Sequence, residues 1–175
     1  MTYELKVLVG VPASGKSTWV KEEIKKLTSA GNTAITISRD AIRFKFLDEH
    51  QSNDYFAYEN EVFNEFVNEI NKALKLGINY IFIDATHISF RSRMKLLSAL
   101  KVDKDIKIVF ETFKAPIEVI LFRNSLREGR ERVPVSAIKN MIASFTIPNS
   151  NDDEFNTYHH QLKMENFFEV NIHSF

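Results

Sequence analysis

Short apolar runs alternate along this chain with longer amphipathic stretches. Residues 5–9 (L-K-V-L-V) read as a buried strand, and 19–27 as a helix with Val20, Ile24 and Leu27 at helical spacing. After a turn at Gly31-Asn32, the β-branched run T-A-I-T-I-S at 33–38 reads as a second strand. A short helix over 41–47 carries Ile42, Phe46 and Leu47 on one side, and the polar segment 50–54 reads as loop. Residues 55–76 give the longest helical signal. Val62, Phe63, Phe66, Val67, Ile70 and Leu74 line one face, the glutamates face out, and Gly77 ends it. A third strand follows at 80–83, then a helix at 89–100 with Met94, Leu97 and Leu100 as core candidates, and a fourth strand at 106–112.

Pro116 opens a helix to about residue 126, a charged connection covers 128–133, and Pro134 and Ser136 open a helix with Ile138, Met141, Ile142 and Phe145 inward. Beyond the polar turn at 148–153 the pattern weakens: 167–172 reads as a last strand and 155–158 as another. Strands alternating with helices predict an α/β fold with a parallel sheet covered on both faces.

Composition adds bounds. A chain of 175 residues with 44% hydrophobic and 26% charged residues suits one globular domain, and most of its 15 Phe must be core. No cysteine is present, which removes disulfides and cysteine metal sites. The chain enters its first strand at once, with Glu4 and Lys6 interrupting the apolar residues, unlike a signal peptide, and no apolar run reaches membrane-spanning length. Net charge is zero, which weighs against a grip on long nucleic acid. The charges are uneven, however. Arg91, Arg93, Lys95 and Lys101 share one predicted helix; Arg123, Arg127, Arg130 and Arg132 crowd one stretch; acids gather at Glu59, Glu61, Glu65 and Glu69 and at Asp152, Asp153 and Glu154.

The first strand runs into Gly10-Val11-Pro12-Ala13-Ser14-Gly15-Lys16-Ser17-Thr18, which meets G-x-x-x-x-G-K-[ST] at every defined position, between a strand and a helix. Glycines at 10 and 15 let the loop curl around an anion, with backbone N–H groups, those of Ala13 and Ser14 among them, turned to phosphate oxygens. Lys16 supplies a mobile charge for the β- and γ-phosphates, Ser17 a hydroxyl for Mg²⁺, and Thr18 begins a helix whose dipole favours the anion. The chain is therefore expected to bind a nucleoside triphosphate.

Ligands of open parallel sheets sit outside the carboxyl ends of the strands. The second and third strands deliver Asp40 and Asp84 to that edge. Asp40 can take the proton of an acceptor hydroxyl, hold a Mg²⁺-bound water, or cap the helix that follows. Arg43, one turn on, can bind an anionic part of an acceptor or be a solvated surface residue. Asp84 can serve the Mg²⁺ shell, contact Lys16 or cap the next helix, and His87 reads as a polar loop residue. The arginines at 123–132, with Gly129 as a hinge, suit a lid closing on phosphate oxygens, or a solvated helix end with pairs such as Arg127–Glu131.

These segments together resemble the phage-type 5′-hydroxyl polynucleotide kinases and their P-loop kinase relatives. The matching stretches are G-V-P-A-S-G-K-S-T-W (10–19), S-R-D-A-I-R (38–43), I-D-A-T-H (83–87) and F-R-N-S-L-R-E-G-R-E-R-V-P (122–134), in the family's order. The resemblance implies a three-layer P-loop kinase fold with a parallel sheet of four to five strands, a single domain, an arginine-bearing helical lid over about 123–146 and an extension at 148–175. It implies ATP as phosphate donor with Mg²⁺, and the 5′ end of a nucleic acid as acceptor, with no membrane partner. The residues alone also admit a kinase of the same architecture acting on a small molecule, a nucleotide or a modified DNA base, and a non-catalytic nucleotide-binding module. Lys16, Asp40 (general base) and Arg127 would be catalytic, and Arg123, Arg127 and Arg130 would meet the donor. On the acceptor side with Asp40, Arg43 would contact an acceptor phosphate and Thr86 and Val133 would line the acceptor nucleotide, while Asp84, also beside the substrate, would be the Walker-B-like acid. The lid is one residue longer before V-P than the family pattern, so Arg130 shares or takes the part of Arg127; Ala41 replaces an aspartate found in some relatives. No D-x-D-G-T motif is present, so 3′-phosphatase activity is not expected. The expected location is cytoplasmic, the host's if the chain is phage-encoded.

Overall fold

The computed structural model describes residues 3–151 and 153–175. Asp152, one member of the predicted acidic cluster, lies outside the described residues. Strands β1 (Glu4–Val9), β2 (Ala34–Ser38), β3 (Tyr80–Asp84), β4 (Lys107–Lys114) and β5 (Phe168–Ser174) form one sheet in the order β2-β3-β1-β4-β5. Every pairing is parallel. The helices are α1 (Lys16–Ser29), α2 (Arg39–Glu49), α3 (Glu59–Lys75), α4 (Phe90–Ala99), α5 (Ile117–Ser125), α6 (Val135–Ala143) and α7 (Glu154–Gln161). This is a P-loop kinase fold, with β1 central and its loop at the carboxyl edge.

Alternation along β1 explains the layers. Leu5, Val7 and Val9 face one side, where Val62, Phe66 and Ile70 of α3, Leu96 and Leu97 of α4 and Tyr158 of α7 bury them. Each such aliphatic or aromatic side chain contributes about 1.5–3 kcal/mol on burial. Leu8 faces the other side, with Phe82 and Phe113 under Val20 and Trp19 of α1. That face also holds a buried ion network. Lys6 Nζ donates to Glu111 Oε1 at 2.7 Å, and His173 Nε2 lies 2.8 Å from Glu111 Oε2. Burial opposes the charge on Lys6, but Glu111 wins and raises its pKa. A third cluster, Val11, Ala13, Ile120 and Ile138, seats α5 and α6 against the loop after β1.

Several expectations are corrected. Residues 155–158 lie within α7 rather than a strand, because Glu154 and Tyr158, one turn apart, both point into the core. The helix predicted from 55 starts at Glu59, and the one predicted from Thr18 starts at Lys16. In α4 the buried positions are Arg93, Leu96 and Leu97; Met94 and Leu100 are only half-buried. The basic run at 91–101 is not one charged face. Arg93 is fully buried on Glu154, Lys95 Nζ lies 4.3 Å from the centroid of the Phe63 ring, and Lys101 falls beyond the helix end. Arg93 is therefore withdrawn from any basic surface, while Arg91, Lys95 and Lys101 stay exposed.

Candidate active site

Two glycines shape the loop for different reasons. Gly15 has φ +104°, a left-handed conformation that side chains disfavour. Gly10 does not rely on such an angle. A Cβ there would lie 2.8 Å from Ser14 Oγ and 3.1 Å from the Phe113 carbonyl oxygen, so glycine is required by close approach. The second left-handed residue of the loop is Ala13, at φ +65°.

Beside the loop opens a cavity of about 620 Å³, lined by Ala13, Gly15, Lys16, Ser17, Thr18, Trp19, Asp40, Asp84, Thr86, Arg123, Arg127 and Phe175. Three strand ends therefore meet there. The register Ser38↔Asp84 sets the ends of β2 and β3 side by side. Gly10 N donates to Thr86 O at 2.9 Å, tying the loop after β3 to the phosphate loop.

Lys16 is buried, and its Nζ donates to Gly10 O at 2.8 Å and Val11 O at 3.0 Å. Burial lowers its pKa to about 8, against the opposing charge of Asp84. Burial likewise raises the pKa of Asp84, with Lys16 opposing. Among the described residues the Nη1 of Arg123 is buried without a partner. It lies 3.6 Å from where a Gly15 Cβ would stand. A buried guanidinium nitrogen without an acceptor costs stability unless an anion reaches it. With Lys16 and Arg127 it makes the cavity a fit for phosphate oxygens.

A Mg²⁺ fits less directly. Among the described residues no group of three or more His, Cys, Asp or Glu side chains is arranged to hold a metal. Ser17 and Asp84 line the cavity as oxygen donors. So sparse a set suits an ion that keeps several waters and takes its other ligands from a nucleotide.

The helix-cap readings of the two aspartates fail. Ser38 caps α2, accepting from Ala41 N at 3.3 Å, and Ser89 caps α4 through a reciprocal pair with Ser92. Asp40 stands in the first turn of α2 with its side chain 64% exposed, at the cavity. Its Oδ1 accepts from Arg43 Nη1 and, at 3.0 Å, from the Tyr55 hydroxyl. Arg43 is no solvated surface residue; it is buried, and its Nε donates to Glu59 Oε1 at 2.8 Å. Arg39 Nη2 reaches the other oxygen of Glu59 at 2.8 Å. Glu59 is therefore not one of the outward glutamates.

The lid arginines separate. Arg123 and Arg127 line the cavity, and Arg127 Nη1 lies 3.4 Å from the Glu131 carbonyl oxygen. Arg130 does not join them. It forms a two-pronged pair with Asp48 of α2 at 2.9 and 3.0 Å and stacks 4.6 Å over Phe44. This position of Arg130 departs from the expected donor contact, because Asp48 offers a matching carboxylate on the facing helix. Val133 is bonded through both backbone groups to the Asn124 side chain and packs with Ile120 and Ile138 rather than lining the cavity. His87 is buried rather than in a polar loop. Its Nδ1 lies 3.0 Å from Leu8 O, and burial lowers its pKa to about 4.

Tyr55, Trp19 and Phe175 were not singled out by the sequence, and Glu59 stood out only as one of a cluster of acids. Tyr55 and Glu59 sit in a helical signal whose face, not its start, was informative. Phe175 lies in the weakly patterned tail and stacks on Phe113, with centroids 6.2 Å apart.

A family model described as an AAA domain, AAA_33, matches residues 5–148. The chain belongs to this family. A protein named L-seryl-tRNA(Sec) kinase from Methanococcus maripaludis is 28% identical over 142 residues, covering 81% of this chain and 52% of that one. The chain thus spans about half the length of that relative. A chain in the structure of the Pnkp1/Rnl/Hen1 complex superposes with TM-score 0.57 at 26% identity, covering 70% of this chain and 39% of that one. A sugar kinase from Janibacter sp. HTCC2649 aligns over 98% of this chain and 86% of that one, with TM-score 0.59 and 17% identity, which speaks for the fold alone. This AAA_33 chain is thus a P-loop protein of the kinase type, similar to kinases of several kinds. Among the described residues, no helix is long and apolar enough to cross a membrane.

Proposed function

We propose that the chain transfers the γ-phosphoryl group of ATP to the 5′-hydroxyl of a DNA or RNA end. The observation that carries this reading is Asp40, relieved of capping and held by Arg43 and Tyr55, facing the phosphate loop across one cavity. Asp40 accepts the proton of the attacking hydroxyl, the acceptor oxygen bonds to the γ-phosphorus, and the bond to the β-phosphate oxygen breaks to release ADP. The N–H groups of the loop, Lys16 and the forks of Arg123 and Arg127 bind the phosphates and meet the charge that develops on them. Mg²⁺, when bound with ATP, would add neutralisation of that charge next to Ser17 and Asp84. Arg43, tied to Asp40 and Glu59, acts here by orienting the base rather than by gripping an acceptor phosphate.

The resemblance of segments 10–19, 38–43, 83–87 and 122–134 to the phage 5′-hydroxyl kinases supports the acceptor. The second reading is a hydroxyl on another molecule, a small metabolite or a group carried by tRNA. Zero net charge and the loss of Arg43 and Arg93 as free cations favour it. A screen with labelled ATP against 5′-hydroxyl DNA and RNA, seryl-tRNA and simple sugars decides between them. Label on the oligonucleotides at any length supports the first reading, and label only elsewhere overturns it.

The donor side has its own signature. Lys16 has a pKa of about 8 because of burial, and a bound triphosphate adds negative charge beside it, which raises that value. Binding must then take up a proton wherever free Lys16 is partly neutral. Calorimetry at about pH 8.5 in buffers of different ionisation enthalpy should show an uptake of roughly half a proton or more, and at about pH 6.5 almost none.

A further inference from the structure

We infer that Tyr55 is a positioning residue for Asp40, an inference that rests on the base role proposed above. Tyr55 belongs to the turn between α2 and α3, on neither of the elements that carry the recognisable motifs. The turn is itself pinned. Asp54 N donates to Ser52 Oγ at 3.2 Å, Phe56 N to Asp54 Oδ1 at 3.0 Å, and Ala57 N to Asp54 O at 3.1 Å. The Tyr55 ring lies under the Arg43 guanidinium at 4.5 Å and meets Phe44 and Phe56 edge-on, with centroids 6.3 and 4.9 Å away.

The phenol closes a triangle. Its oxygen accepts from Arg43 Nη1 at 2.9 Å and donates to Asp40 Oδ1 at 3.0 Å. Arg43 Nη1 reaches the same Oδ1. Two donors from two elements therefore converge on one oxygen, and among the described residues Oδ2 has no partner. An exposed aspartate held by one residue of its own helix would still rotate about its terminal torsion, which is broad. A second anchor from a separate turn removes that freedom and leaves Oδ2 to receive a proton at the cavity. The hydroxyl stays a donor throughout the working range. Burial, then the charge of Asp40, pushes its pKa up to about 12.

The test uses the full chain with ATP, Mg²⁺ and short 5′-hydroxyl DNA and RNA. Transfer to water is measured in the same reactions, so that Asp40 is read out even where no oligonucleotide is labelled. Tyr55→Phe keeps the ring and removes only the hydroxyl. It should lower kcat about tenfold, with KM for ATP within about twofold and an unchanged melting temperature. In an Asp40→Asn background the same substitution should cost nothing further, because there is no base left to orient. A purely structural Tyr55 would instead shift melting and KM, and would cost the same in both backgrounds. A full rate in Tyr55→Phe beside a disabled Asp40→Asn overturns this inference alone. Full rates in both overturn the base role of Asp40, and this inference with it.

Discussion

Asp40→Asn is expected to lower kcat for phosphoryl transfer by about 10²–10⁴-fold, the range a positioned general base contributes. Asparagine has nearly the same shape and can still accept from Tyr55 and Arg43, but it cannot take a proton from an attacking hydroxyl. The substitution should leave the rest of the molecule in place. Ser38, not Asp40, caps α2, and the Asp40 side chain is 64% exposed, while asparagine keeps the Oδ1 that accepts from buried Arg43. The phosphate contacts come from the loop, Lys16, Arg123 and Arg127, so ATP affinity by calorimetry should stay within a few-fold. Steady-state rates with ATP and a 5′-hydroxyl oligonucleotide, beside that binding measurement, give the answer. A non-catalytic nucleotide-binding module would keep its assayed property in this variant. An unchanged rate of transfer would remove Asp40 from the chemistry and leave the cavity as a holder of triphosphate.

The strands were legible because a parallel sheet buried on both faces writes itself as continuous apolar runs. The observed β1 to β5 each fall within two residues of the predicted spans. The phosphate loop was legible because its chemistry needs fixed residues at fixed spacing. Asp40 and Asp84 followed from their place just past strand ends. What was not legible is charge that is satisfied at long range. Arg93 looked like one of several basic residues on a helix, and only a carboxylate 61 residues away makes it a core residue. Arg43 was placed on the face of Asp40 by its spacing, yet Glu59, which buries it, lies on another helix. Arg130 went astray for the same reason, since Asp48 is 82 residues distant. The tail was misread at 155–158 because F-N-T-Y has strand propensity, and tertiary packing of Glu154 and Tyr158 overrides it.

Arg93→Met should destabilise the fold by about 3–5 kcal/mol, the cost of removing one partner from a buried ion pair. The guanidinium is completely buried and joins three segments. Its Nε and Nη2 donate to the Glu154 carboxylate at 2.5 and 2.8 Å. Nη1 donates to the His87 carbonyl at 2.9 Å and the Thr146 carbonyl at 3.1 Å, and Nη2 also reaches Thr146 Oγ1 at 3.1 Å. Methionine fills much of the stem but leaves a buried carboxylate and two carbonyl oxygens without their donor. For a chain of this size the loss corresponds to a fall in melting temperature of roughly 6–20 °C. Removing the orphaned charge as well, in Arg93→Met/Glu154→Leu, should restore a good part of it, because the penalty is the unpaired ion rather than the lost pair. The pH dependence gives an independent check. Burial acts to raise the pKa of Glu154, but the bonds from Arg93 and the Tyr158 hydroxyl outweigh it, so the net shift is downward. A lowered carboxylate pKa stabilises the fold above its ordinary value of 4.5 and loses that contribution as pH falls toward the folded value. The gap in stability between wild type and Arg93→Met should therefore be widest near neutrality and close as the pH drops below that point. A gap below about 1 kcal/mol at neutral pH, or one that widens in acid, would mean the network is not what holds α7 and the turn at Thr146 onto the start of α4.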